Sequence, residues 1–133
     1  MIKKANEIDQ TQPLKALFYG QPGIGKTSWA MTAPSPLLID CDKGIHRVSM
    51  KFRKDYVPVN SWDDIMSITR EDLSPYKTII IDTAGSMLDF LTQQIIKEQP
   101  KLGSNGGLTL QGYGVLKNRF TAFLSMMATM NKH

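Results

Sequence analysis

The chain has 133 residues, 41% of them hydrophobic and 21% charged, enough for one domain with a real core. No apolar run approaches the roughly 20 residues needed to cross a bilayer, and Met1-Ile2-Lys3-Lys4-Ala5-Asn6-Glu7 lacks the apolar centre of a secretion signal. The single cysteine, Cys41, rules out an internal disulfide and suits a reducing cytoplasm, while the net charge of +4 permits a polyanionic partner without demonstrating one.

Residues 1–12 read as a polar lead-in, and 13–133 as the folded core. Leu14-Lys15-Ala16-Leu17-Phe18-Tyr19 is a short apolar strand candidate. Directly after it, Gly20-Gln21-Pro22-Gly23-Ile24-Gly25-Lys26-Thr27-Ser28 contains a complete G-x-x-x-x-G-K-[ST] phosphate-binding loop. Lys26 to Ala33 can form the helix that such a loop opens, stopping before Pro34. Strand, glycine turn and helix start together aim backbone N–H groups at one point. Gly20, Gly23 and Gly25 let the backbone wrap an anion closely. Lys26 then reaches the β- and γ-phosphate oxygens, and the Thr27 hydroxyl ligates Mg²⁺. The flanking strand and helix weigh against a chance glycine-rich turn.

Pro34-Ser35-Pro36 forces a turn, and Leu37-Leu38-Ile39-Asp40 reads as a buried strand ending in acid. Asp40 and Asp42 lie two apart, hence on one face of an extended chain, so either could orient a water beside a γ-phosphate. The plainer reading is that Asp42-Lys43-Gly44 is a solvated turn; His46 and Arg47 read as its continuation. Tyr56-Val57-Pro58-Val59 is a weaker strand whose proline favours a sheet edge. Ser61-Trp62-Asp63-Asp64 predicts a capped helix start.

Thr78-Ile79-Ile80-Ile81-Asp82 has the form of a Walker B strand, whose terminal carboxylate serves the Mg²⁺ shell. Met87, Leu88, Leu91 and Ile95 then mark the apolar face of a helix ending near Pro100. Lys101 to Gly114, with its five glycines, predicts a flexible loop. Leu116, Phe120, Phe123, Leu124 and Met127 predict a final amphipathic helix, with Met126, Met127 and Met130 as adaptable core filler. Strands alternating with helices give an α/β fold with a parallel, three-layer sheet of the P-loop NTPase kind.

Gly20–Ser28, Leu37–Gly44, Thr78–Gly85 and Leu108-Thr109-Leu110-Gln111-Gly112-Tyr113-Gly114 together resemble the phage nucleotide-binding proteins of the RecA-like type, AAA-type P-loop ATPases of the single-strand annealing and recombination group. The resemblance covers Leu14 to His133. It implies a cytoplasmic ATPase (of the host cell if phage-encoded) that binds ATP or ADP with Mg²⁺, works on single-stranded DNA as a homo-oligomer and contacts no membrane. The implied catalytic residues are Lys26, Asp42 and Asp82, with Thr27 and Asp82 serving the metal. Asp42 takes the water-orienting position that a glutamate usually holds, about one methylene longer. Lys101, Tyr113, Lys117 and Arg119 fall where that family places a DNA-contacting loop.

RecA-like relatives carry a further strand, with a polar sensor residue, between the Walker A and Walker B strands. By that resemblance this chain is a fragment or natural truncation that lacks a central strand, binds nucleotide weakly and hydrolyses it poorly. Direct hydrogen bonding between Leu14–Tyr19 and Thr78–Asp82 would refute this. Two other functions fit the motifs: a small-molecule P-loop kinase, though no arginine cluster suggests a lid, and a module that holds the nucleotide without hydrolysing it. The absence of an Asn-Lys-x-Asp signature favours ATP over GTP.

Overall fold

The computed structural model describes Ile2, Lys4 and residues 13–133. Most of the lead-in 1–12 therefore lies outside the described residues. The phosphate loop opens α1 (Lys26–Ala30), shorter than predicted; Thr32 and Ala33 close it with tighter bonds to the carbonyls of Trp29 and Ala30. The chain then enters β1 (Pro36–Asp40), and two 3₁₀ turns (Gly44–Arg47, Met50–Phe52) lead to β2 (Tyr56–Pro58). Then come α2 (Trp62–Ile68), β3 (Thr78–Asp82), α3 (Ala84–Glu98), a small hairpin of β4 (Gly103–Ser104) and β5 (Gly107–Leu108), and α4 (Leu110–Ala128).

The three longer strands form a parallel sheet in the order β2-β1-β3. Every residue of β1 is buried, as its unbroken apolar run requires of a strand covered on both faces. Leu37, Ile39 and Cys41 face the main core, where α2, α3 and α4 bring Ile65, Leu91, Ile95 and Phe123. Leu38 and Ile80 face the other way, onto Met31, Ile45 and Val48. Helices on one side and α1 with the 3₁₀ segment on the other make the α/β sandwich that the alternating pattern predicts.

Local chemistry accounts for the boundaries. Ser61 Oγ accepts from Asp64 N at 3.1 Å, and the Asp64 carboxylate accepts from Asn60 N at 2.8 Å, fixing the start of α2. Thr83 caps α3 through Ser86 N, and Pro58 sits on the edge strand where its missing N–H costs least. Trp62 meets Phe123 edge-to-face at 5.2 Å, tying α2 to α4.

Two expectations are corrected. Residues 101–114 are not a flexible loop. Asn105-Gly106, both at positive φ, turns the β4–β5 hairpin, and Thr109 Oγ1 accepts from Gly112 N to start α4 four residues before Gly114. Gly112 is buried, and the close approach requires glycine, because a Cβ there would lie 2.8 Å from the Leu102 carbonyl oxygen. Gly112→Ala is thus expected to destabilise the fold by about 1–3 kcal/mol. Gly114→Ala, in the same helix with nothing within 4 Å of the added carbon, should instead stabilise it by about 0.5–1 kcal/mol. Denaturant midpoints of the two variants check this opposition of sign.

The second correction concerns Leu14–Tyr19. It is not a strand, and Leu17 and Tyr19 are largely exposed. A strand needs a neighbour to satisfy its backbone, and among the described residues no strand pairs with this segment. Between it and β3 lies a groove of about 470 Å³, lined by Leu17, Phe18, Trp29, Ile79 and Ile81. Phe18 and Trp29 meet in it edge-to-face at 4.4 Å. His133 closes one end, donating to the Lys77 carbonyl and accepting from Ile79 N, both at 2.9 Å, the bonding of one parallel-strand residue. Leu14 N donates to His133 Nδ1 at 2.9 Å, so the two sides of the groove are tied there. Lys132 secures this end further by donating to the Leu73 and Tyr76 carbonyls.

Candidate functional site

The phosphate loop is held open by its glycines. Gly23 and Gly25 have φ of +82° and +90°, a conformation that side-chain-bearing residues rarely adopt. At Gly20 a Cβ would fall 2.5 Å from Ile24 Cδ1, the free end of an exposed side chain that can turn aside. Lys26 folds back over the loop, its ammonium donating to the carbonyls of Gly20 and Gln21, each at 2.8 Å. A cation is thus gathered where the loop curves.

One residue on, the Thr27 hydroxyl donates to Asp82 Oδ2. This bond joins segments 55 positions apart and brings the start of α1 to the carboxyl end of β3. Asp40 is the register partner of Asp82 on β1, and Cys41 N donates to the Asp82 carbonyl at 2.7 Å, so the acidic ends of both strands share one sheet edge. The groove beside β3 opens onto Lys26, Thr27 and Asp82.

The two neighbouring aspartates are sorted by their bonding. Asp40 is buried and accepts from Gly44 N at 2.9 Å and Ile45 N at 3.1 Å, so it shapes the turn after β1. It is not free to orient a water. Among the described residues no donor bonds Asp42 Oδ1, which is buried near the Asp40 carboxyl, and its other oxygen lies 3.7 Å from Arg47 Nη1. Loss of water, and then the charges of Asp82 and Asp40, push its pKa above the ordinary value, with Arg47 opposing. Gly44 makes room for it, because a Cβ there would sit 2.6 Å from Asp42 Oδ1. Cys41, predicted to pack as a small apolar residue, is buried, and burial followed by the three aspartates pushes its thiol up to about 12.

Of the positions predicted to meet DNA, Lys101, Tyr113 and Lys117 are exposed, while Arg119 pairs with Glu98. They lie on a third 3₁₀ turn (Pro100–Leu102), which follows α3, and along α4. Gly44 does more than the solvated turn of its sequence context suggests, and an Asn105-Gly106 hairpin stands where a loop is expected. That hairpin carries a sequence signal, since Asn-Gly is a preferred pair for a two-residue turn.

A nucleotide with Mg²⁺ fits these groups. The loop offers a glycine cradle and a cation for phosphate, and the Thr27–Asp82 pair offers hard oxygen donors. Among the described residues no cluster of three or more His, Cys, Asp or Glu could hold a metal, so the phosphate oxygens and water would complete such a shell. Also among the described residues, no helix is long and apolar enough to cross a membrane.

Fold and loop together define a P-loop nucleotide-binding protein of the α/β class. Comparison with protein families narrows this: the model of the AAA domain matches residues 12–133, and the chain belongs to that family of nucleotide-binding ATPases. No curated protein matches the chain. No solved structure does either.

Proposed function

We propose that this chain is an ATP-hydrolysing RecA-like core that couples turnover to work on single-stranded DNA, in phage-type recombination or single-strand annealing. The observation that carries the reading is the bond from the Thr27 hydroxyl to Asp82, beside a lysine already folded over a glycine loop. In this reading Gly20 to Ser28 wrap the triphosphate, and Lys26 leaves its two carbonyls to meet the β- and γ-phosphate oxygens. Bound Mg²⁺, held through Thr27 and Asp82, would neutralise phosphate charge. Asp42 holds and orients the attacking water, and Lys26 stabilises charge spreading over the transferred group. A carboxylate poised this way, raised in pKa and with one oxygen unbonded, can take the proton of an attacking water.

The reading also proposes a cytoplasmic setting and assembly with further copies. The test is phosphate release from ATP with no acceptor present, with and without single-stranded DNA. Release that rises with single-stranded DNA is expected. Turnover seen only with an added small-molecule acceptor would favour a kinase, and binding without turnover a nucleotide-holding module.

A further inference from the structure

The charge of this chain is concentrated. Residues 43–56 hold five basic residues, Lys43, Arg47, Lys51, Arg53 and Lys54, against one acid, Asp55. The remaining sequence has eleven basic and eleven acidic residues, so this segment accounts for the whole net charge of +4. It comprises the two 3₁₀ turns and the start of β2, running from the carboxyl end of β1 back to the amino end of β2.

The segment is built rather than loose. Ile45 and Val48 are buried against Met31 and Leu38, anchoring its inner side to the sheet. Arg53 spans it from outside, donating through Nε to the Val48 carbonyl and through Nη2 to the His46 carbonyl, both at 2.9 Å. Asp40 fixes its first turn. Asp55 accepts from the Tyr76 hydroxyl at 2.9 Å, and Arg47 stands near Asp42 with its side chain still 68% exposed. Lys43, Lys51 and Lys54 are exposed as well.

Flat rings are interleaved with these cations. Phe52 and Tyr56 are 43% and 47% exposed and belong to neither core cluster, and Lys51 Nζ sits 4.8 Å from the centre of the Phe52 ring. Lys51, Phe52 and Lys54 also form one wall of a cleft of about 450 Å³, whose other wall is the turn from Met31 to Pro36. A row of cations that tracks a phosphate backbone, with rings on which unpaired bases stack, is the arrangement single strands require. Duplex would use the cations but leave the rings idle.

We infer that residues 43–56 form the surface that binds single-stranded nucleic acid, in place of the 101–119 region. This inference rests on the DNA-coupled reading above and gives it a location. The test is fluorescence anisotropy of labelled oligo(dT) with the full chain and three variants, each checked for an unchanged thermal midpoint and unchanged ATP binding. Charge reversal by Lys51→Glu with Lys54→Glu is expected to weaken binding about tenfold or more. It should also flatten the log–log salt dependence by about 1.4, since each single-strand phosphate contact contributes roughly 0.7. Phe52→Ala with Tyr56→Ala should cost about thirty-fold or more, with little change in that slope. Lys101→Glu with Lys117→Glu should leave both quantities near those of the parent.

The reverse pattern, with the loss confined to Lys101 and Lys117, would overturn the location while leaving the DNA reading intact. Equal affinity for a duplex of the same length, or tighter binding to phosphatidylserine vesicles than to oligo(dT), would overturn the single-strand assignment. If the parent protein binds no oligo(dT), both the surface and the DNA-coupled reading fail. ATP binding and turnover, measured without DNA, would then still decide the nucleotide site separately.

Discussion

Lys26→Ala is expected to weaken ATP binding about ten- to a hundred-fold, because hydrogen bonds to charged groups contribute about 1.5–3 kcal/mol. Turnover should fall by about 10²–10³ more, the scale seen when one charge-stabilising donor is removed from a transition state. The structural ground is the position of the ammonium, which bonds to the Gly20 and Gln21 carbonyls at 2.8 Å. Those contacts are exposed, so water can replace them and the fold should lose little stability. Calorimetric titration with ATP and a thermal melt on the same sample separate the two effects. Unchanged affinity in Lys26→Ala would remove the lysine from the account.

Asp42→Asn should act on turnover and stability but not on affinity. Loss of the water-orienting carboxylate is expected to lower turnover by about 10²–10⁴. The pH profile follows from the raised pKa, since the base must be ionised to act. The parent's acid limb should lie above the ordinary aspartate value of 3.8, and the residual rate of Asp42→Asn should lack it. The stability effect has a definite sign. A carboxyl with a raised folded-state pKa favours the native state in its protonated form; that contribution is complete below 3.8 and is lost as pH rises through the folded pKa. At neutral pH the charge therefore opposes folding, and Asp42→Asn should melt higher than the parent. The advantage should vanish in acid, where both side chains are neutral. Equal melting at neutral pH would mean that Asp42 is as well solvated as in the unfolded chain.

Much of this architecture was legible because short-range chemistry and burial agree. Leu37–Asp40 and Thr78–Asp82 are apolar runs closed by acid, and both become strands of one parallel sheet. Ser61 and Asp64 mark a helix start that their own hydrogen bonds enforce. Leu14–Tyr19 failed because strand propensity creates no partner, and the facing edge of β3 lies across a groove. The glycines of 103–114 misled in another way. By composition they signal freedom, whereas Gly112 serves close packing against the Leu102 carbonyl, and Gly106 serves a turn. Around the phosphate loop, sequence spacing left Asp40 and Asp42 equivalent. Only the backbone turn at Gly44, which takes both oxygens of Asp40, distinguishes them.

The central claim is that the loop at Gly20–Thr27 and the acid at Asp82 are two halves of one metal–nucleotide site. Its most direct test is ATP affinity measured with Mg²⁺ and again with chelator, in the parent and in Asp82→Asn. Tighter binding with Mg²⁺ in the parent, and a much smaller Mg²⁺ dependence in Asp82→Asn, is the predicted result. Equal Mg²⁺ dependence in the two proteins would contradict the claim, whatever the affinity of either.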